Sequence, residues 1–140
     1  MGVRLARSGD WPAIRQLLDQ LDYPGTDGYL QERIQTLLAH PDERLLVYEQ
    51  DATILGVMSL HFIPQLGVKG EFARISYFSI REEARSRGIG QSMEEFATNL
   101  ARERGCHLIE VHCHERRTRA QGFYSRLGYK ESPKYLIKKL

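Results

Sequence analysis

The 140 residues predict a single α/β (α+β) domain with helices packed on a mixed sheet, and three observations carry that expectation. Strand-like runs and runs with helical apolar spacing follow one another as strand, two helices, three strands, helix, strand, helix and strand. Hydrophobic residues make up 41% and charged residues 27% of the chain, an ordinary balance for a globular protein. The length is enough to bury a core without disulfide or metal staples, and no linker, internal repeat or low-complexity tract divides it.

Val3 to Ala6 forms the first predicted strand. In "SGDWP", Asp10 is placed to cap a helix whose first turn tolerates Pro12, and Ile14, Leu17, Leu18 and Leu21 then recur at helical spacing until "DYPG". A second helix runs through Leu30, Ile34, Leu37 and Leu38 and stops at "HPD", because Pro41 disfavours helical geometry at His40. "RLLVYEQ" and "TILGVMSLHFI" form a hairpin about the turn "QDA", and "FARISYFSI" is the next strand. From Met93 a helix buries Phe96, Ala97, Leu100 and Ala101 and ends at Gly105. "HLIEVHC" is a strand, "RAQGFYSRLGY" a short helix with Ala120, Phe123, Tyr124 and Leu127 on one face, and "PKYLIKKL" a closing strand.

Several function classes are disfavoured at once. A formal charge of +2 is too small to imply a nucleic-acid partner. No run approaches the roughly 18 apolar residues of a membrane span, and "MGVRLARSGDW" has no signal-peptide core, so a cytoplasmic location is expected. Ala6 stands where a myristoylation pattern needs Ser or Thr. Cys106 and Cys113 would lie about 23 Å apart on one strand, far beyond disulfide reach, and are expected to be free thiols.

The stretch "ARSRGIGQSMEEF" sits between the strand at 72–80 and the helix from about Gly90 to Arg104. The first amides of a helix lack acceptors and carry the positive end of its dipole, so they favour an anion. Gly88 and Gly90 let a ligand approach the backbone, and Arg85 and Arg87 add charge suited to phosphate oxygens. The spacing is neither the dinucleotide-binding glycine pattern nor a P-loop.

Arg85-Ser86-Arg87-Gly88-Ile89-Gly90 fits the R/Q-x-x-G-x-G/A signature of the GNAT superfamily of acyl-CoA-dependent N-acyltransferases, which the chain resembles. "ISYFSIREEARSRGIG" and "RAQGFYSRLGY" are similar to two segments of that family, in the same order and spacing. The resemblance implies one N-acetyltransferase domain over 1–140, with about six to seven strands flanked by about four helices. It implies acetyl-CoA as co-substrate, its pantetheine arm paired with Phe78, Ser79 and Ile80 and its pyrophosphate on the amides of Arg85 to Gly90, with Gln91 and Ser92 next to them. Metal is not expected as a cofactor.

Acetyl transfer to an amine needs a neutral amine, a polarised thioester carbonyl and a protonated leaving thiolate. By the same resemblance Tyr124 lies beside the thioester sulfur, where a phenol of pKa about 10 can protonate a thiolate whose thiol pKa is about 8.5. A backbone N–H near Phe78 or Ser79 would polarise the carbonyl. Many relatives carry Glu where this chain has Ser76, with Tyr77 beside it. Glu110, acting through water, is the candidate base and His112 the second.

Glu110, His112 and His114 should share one face of their strand, as substrate-lining groups, structural residues or, with another ligand, metal ligands, while Ile109, Val111 and Cys113 face the core. Arg116, Arg117 and Arg119 would suit the CoA 3′-phosphate, an anionic substrate, or solvent alone; the C-terminal half resembles small-amine acetyltransferases of aminoalkylphosphonate and aminoglycoside types, and the arginines suit a phosphonate better than a polycationic aminoglycoside. The leading expectation is acetylation of a small primary amine by direct attack in a ternary complex, with a homodimer possible. A non-catalytic acyl-CoA sensor is the alternative, favoured by Ser76.

Overall fold

The computed structural model describes residues 2–112, 118–132 and 136–140. Its elements are β1 (Gly2–Leu5), α1 (Trp11–Gln20), α2 (Leu30–Ala39), β2 (Glu43–Gln50), β3 (Thr53–Ile63), β4 (Phe72–Ile80), α3 (Ile89–Glu103), β5 (Leu108–Val111) and α4 (Thr118–Arg126). The strands form one mixed sheet in chain order, antiparallel from β1 to β4 and parallel between β4 and β5. The parallel step follows from α3, which carries the chain back to the start of the sheet edge as a parallel pair requires.

The side-chain period of two sorts each strand between two helical layers. Leu46, Met58, Leu60, Ala73 and Ile75 face α3 and pack with its Met93 and Ala97. Leu45, Val47 and Val57 face the other way, against Ile14 and Leu17 of α1 and Leu30 and Ile34 of α2. Met93 is fully buried in the first layer. Met93→Ala is expected to lower stability by about 2–5 kcal/mol, read as an earlier midpoint in urea.

Local sequence signals explain most boundaries. α2 ends at His40, whose ψ of 127° is extended, as a residue before proline should be. Gly105, at φ 74°, closes α3, and the next amide, Cys106, bonds back to the Ala101 carbonyl at 2.9 Å. Asp51 and Ala52 both take positive φ, 52° and 62°, which makes the β2–β3 connection a two-residue turn matched to strand twist.

Three expectations need correction. Five strands form among the described residues rather than six to seven. The closing strand is not formed over residues 136–140, where Leu136 and Ile137 are exposed: an alternating pattern makes a strand only where a sheet edge accepts it. Pro133 to Tyr135 lie outside the described residues. Asp10 does not cap α1 with its side chain; its carboxylate turns back to the Arg7 amide at 2.8 Å and to Arg4 at 2.9 Å, because a guanidinium on β1 competes successfully for it.

Candidate active site

Among the described residues, the sheet opens along β4. Its β5-side edge is paired from Phe72 to Ile75 only, so beyond Ile75 that edge has no partner among the described residues. On the other side the β3–β4 register shifts, Ser59 pairing with Tyr77 and Leu60 with Ile75, so Ser76 is the extra residue of a bulge. An open edge of this kind presents main-chain donors and acceptors to any extended chain bearing amides.

The turn after β4 carries a second set of free groups. Arg85 is extended, Ser86 takes φ 67°, and Gly88 takes φ 80° as the residue preceding α3. The first bond of α3 runs from the Ser92 amide to the Gly88 carbonyl at 3.0 Å. Among the described residues, the amides from Ser86 to Gln91 have no hydrogen-bond acceptor. Positive φ at Ser86 is a backbone state that side-chain-bearing residues rarely adopt, and such states concentrate at binding sites.

α4 closes the third side. A cleft of about 880 Å³ lies between the end of β4, this turn and α4. Phe78, Ser79, Ile80, Arg85, Ser86, Gly88, Ile89, Gly90 and Gln91 all line it, as does Tyr124. Gly90 packs closely under α4: a Cβ there would stand 3.3 Å from Cζ of Phe123, tighter than an ordinary contact. Phe123 and Tyr124 lean on Phe78 with ring centroids 6.0 and 6.5 Å away, which sets α4 against the open end of β4. Arg85, Arg119 and Arg126 line the cleft without a single carboxylate among its lining residues, so its field favours anions.

Four of the sequence-predicted residues stand outside the cleft wall. Arg87 donates to the Glu83 carbonyl at 3.2 Å, and Ser92 is exposed on α3. Glu110 lies at the paired end of β5, where its carboxylate accepts from Arg74 at 2.6 Å, and His112 is exposed one residue past the strand. Ile109 and Val111 pack against the core, as expected. Cys106 is a free thiol whose titration burial pushes up. Cys113, His114, Arg116 and Arg117 lie outside the described residues, and among those described no group of three His, Cys, Asp or Glu could hold a metal.

Sequence reasoning missed Gln20 and Arg126. From the last turn of α1, Gln20 donates to the Ile80 carbonyl at 2.6 Å and to Ser79 Oγ at 3.2 Å, and it accepts from the Glu82 amide at 2.9 Å. It thereby ties helix, strand end and turn together. Nothing local distinguishes it from an ordinary helix-surface glutamine.

The acetyltransferase (GNAT) family model matches residues 11–129. The chain belongs to the GNAT acetyltransferase family. An uncharacterized N-acetyltransferase of Chlorobaculum tepidum is 27% identical to this GNAT protein over 94% of its length and 77% of the relative's. The fold matches a Bacillus halodurans transcriptional regulator with TM-score 0.90, at 26% identity over 99% of this chain and 98% of the other. It also matches a Staphylococcus aureus GNAT family acetyltransferase (0.83, 23%, all of both chains) and an aminoglycoside N-acetyltransferase in complex with CoA (0.86, 14%, 99% and 93%).

Behind Tyr124 the GNAT chain buries a small polar network. Glu94 on α3 is 6% exposed and accepts from the Tyr129 hydroxyl at 3.2 Å and from Thr98 Oγ1 at 3.1 Å. The Tyr129 ring meets Tyr124 edge-on at 5.4 Å. Burial, and then the Glu94 carboxylate, raise the Tyr129 titration well above the usual phenol. A phenol that is harder to ionise in the fold than in the unfolded chain stabilises in full below about pH 10 and loses that contribution as pH rises through the folded value. Glu94→Ala should cost about 1–3 kcal/mol at neutral pH by leaving two donors unpaired, and the gap to the wild-type protein should narrow above about pH 10, where the wild type loses the larger Tyr129 contribution. Urea midpoints at pH 7 and above pH 10 check both.

Proposed function

We propose that this GNAT protein transfers the acetyl group of acetyl-CoA to a primary amine of a small molecule by direct attack in a ternary complex. The observation that carries the reading is the continuity, among the described residues, of the β4 edge beyond Ile75, which β5 does not pair, and the acceptor-less amides of Ser86 to Gln91 along one arginine-lined cleft. The first suits the amides of a pantetheine arm and the second suits linked phosphates. Acetyl-CoA supplies an acetyl group already activated as a thioester.

The chain's own residues would do the rest. Main-chain amides from Ser86 to Gln91, with Arg85, hold the pyrophosphate; Arg119 and Arg126 offer charge to a further phosphate. A backbone N–H at Phe78 or Ser79 polarises the carbonyl, so that negative charge developing on its oxygen is met by a fixed donor. The amine nitrogen forms the new C–N bond as the C–S bond breaks, and the Tyr124 hydroxyl protonates the departing sulfur. Glu110 takes the amine proton through water, with His112 as the second candidate. Glu110 pairs with Arg74, and Arg74 pairs with His61 as Tyr77 does with Ser59, two residues apart on β3, so all these side chains share one face of the sheet.

One observation favours a second reading. No carboxylate lines the cleft and the bulge residue is Ser76, as a non-catalytic acyl-CoA sensor would allow. Thiol release from acetyl-CoA against a panel of amines, with and without divalent metal, separates the two. The enzyme releases thiol in proportion to one class of amine. A protein that binds acetyl-CoA yet releases thiol with none of them is the sensor.

A further inference from the structure

We infer that the acceptor subsite is an aromatic shelf made by Tyr23, Tyr77 and Tyr29 with Arg33 at its rim, and that it selects an amine carrying a flat apolar body and an anionic group. The inference rests on the acetyltransferase reading and names the substrate class for it. Tyr77 is the residue immediately before Phe78, so the strand turns one side chain into the acetyl-CoA cleft and its neighbour onto the opposite face. A substrate lying on Tyr77 therefore has the open strand edge next to it.

The shelf is built rather than incidental. Tyr23 and Tyr77 meet edge-on with centroids 5.0 Å apart, although the two are 49% and 38% exposed. Tyr23 is placed by Asp22, which takes φ 70°, and its amide returns to the Leu18 carbonyl at 2.9 Å. That left-handed conformation is a common end for a helix and one that Asp tolerates, and it closes α1 with the Tyr23 ring against Tyr77. Tyr29 is 49% exposed, and its ring lies 5.2 Å under the Arg33 guanidinium. Tyr29 and Arg33 are near enough to Tyr77 to act on its hydroxyl: burial chiefly, then Tyr23 and Tyr29, raise its titration, and Arg33 opposes.

The charges decide what kind of amine fits. Among the described residues Arg33, like Arg85, Arg119 and Arg126 of the cleft, has no carboxylate within ion-pair distance, whereas Arg4, Arg15, Arg74, Arg81 and Arg104 each have at least one. An unpaired guanidinium held against a ring repels a polycation and receives a carboxylate or phosphonate. Ring faces alone could hold an ammonium, but that would favour the protonated amine, which cannot attack. A neutralisable amine between an apolar body and an anion meets every group present.

The test uses phenylalanine, phenylalaninamide, alanine and spermidine as acceptor probes for the full chain, with thiol release for turnover and calorimetry for binding to the CoA-loaded protein. Phenylalanine is expected to be preferred over its amide, over alanine and over spermidine. Tyr77→Ala and Tyr23→Ala should each raise its KM roughly tenfold with the KM for acetyl-CoA unchanged, and Tyr77→Phe should keep the affinity. Arg33→Gln should abolish the preference for the acid over the amide. Binding of phenylalanine to the CoA-loaded protein without turnover leaves the shelf standing and removes the catalytic reading. Preference for spermidine or alanine, unchanged KM values in the tyrosine variants, or a change in oligomeric mass as their sole effect overturns the shelf.

Discussion

Tyr124→Phe is expected to lower turnover by about 10²- to 10⁴-fold while leaving the affinity for acetyl-CoA nearly unchanged. The substitution removes one oxygen from a side chain that is 9% exposed, and keeps the ring contacts to Phe78, Phe123 and Tyr129 that set α4. Stability is therefore preserved to within the modest worth of a hydroxyl. What is lost is the proton for the leaving sulfur, an interaction made as the C–S bond breaks, so kcat and kcat/KM should fall together. Acetyl donors built on a more acidic thiol should recover part of the rate, because a better leaving thiolate needs the proton less. Steady-state kinetics on the variant check this, and an unchanged kcat removes Tyr124 as the acid.

Gly88→Asp should abolish measurable acetyl-CoA binding, a loss of at least about 100-fold. A Cβ at Gly88 meets nothing within 4 Å, so crowding is not the cause. Two other effects act there. At φ 80° a side chain costs about 1–2 kcal/mol in backbone strain, and a carboxylate beside the amides of Ser86 to Gln91 competes with the diphosphate for the same donors. Gly88→Asn separates them, since it carries the same strain without the charge, and should retain most of the affinity. Calorimetric titration of both variants gives the comparison. Equal losses in the two would place the effect in the backbone and leave the anion site unsupported.

The parts of this protein that were legible in its sequence are those governed by local rules. Pro41 ended α2, Gly105 ended α3, and the apolar spacing from Met93 to Ala101 named the buried face of α3. The glycine turn could be read because Gly88 and Gly90 stand between a strand and a helix, and nine of the eleven residues proposed for acetyl-CoA line the cleft. What depended on distant partners was not legible. Asp10 was drawn from its cap by Arg4, and Gln20 reaches Ile80 and Glu82 across sixty positions of sequence. Where the β4–β5 pairing stops among the described residues, at Ile75 and Val111, has no local signature at all. The tyrosine shelf escaped notice for the same reason, since Tyr23 and Tyr77 are ordinary residues until the fold brings their rings together.

Backbone amide NMR on the isotopically labelled protein during addition of coenzyme A tests the central claim most directly, because each amide reports its own hydrogen bond. The account predicts that the largest shifts fall on Gly88, Ile89 and Gly90 and on the β4 residues after Ile75, with β1 and β2 unmoved. Saturable binding whose shifts fall elsewhere, or no shifts at millimolar coenzyme A, would contradict it.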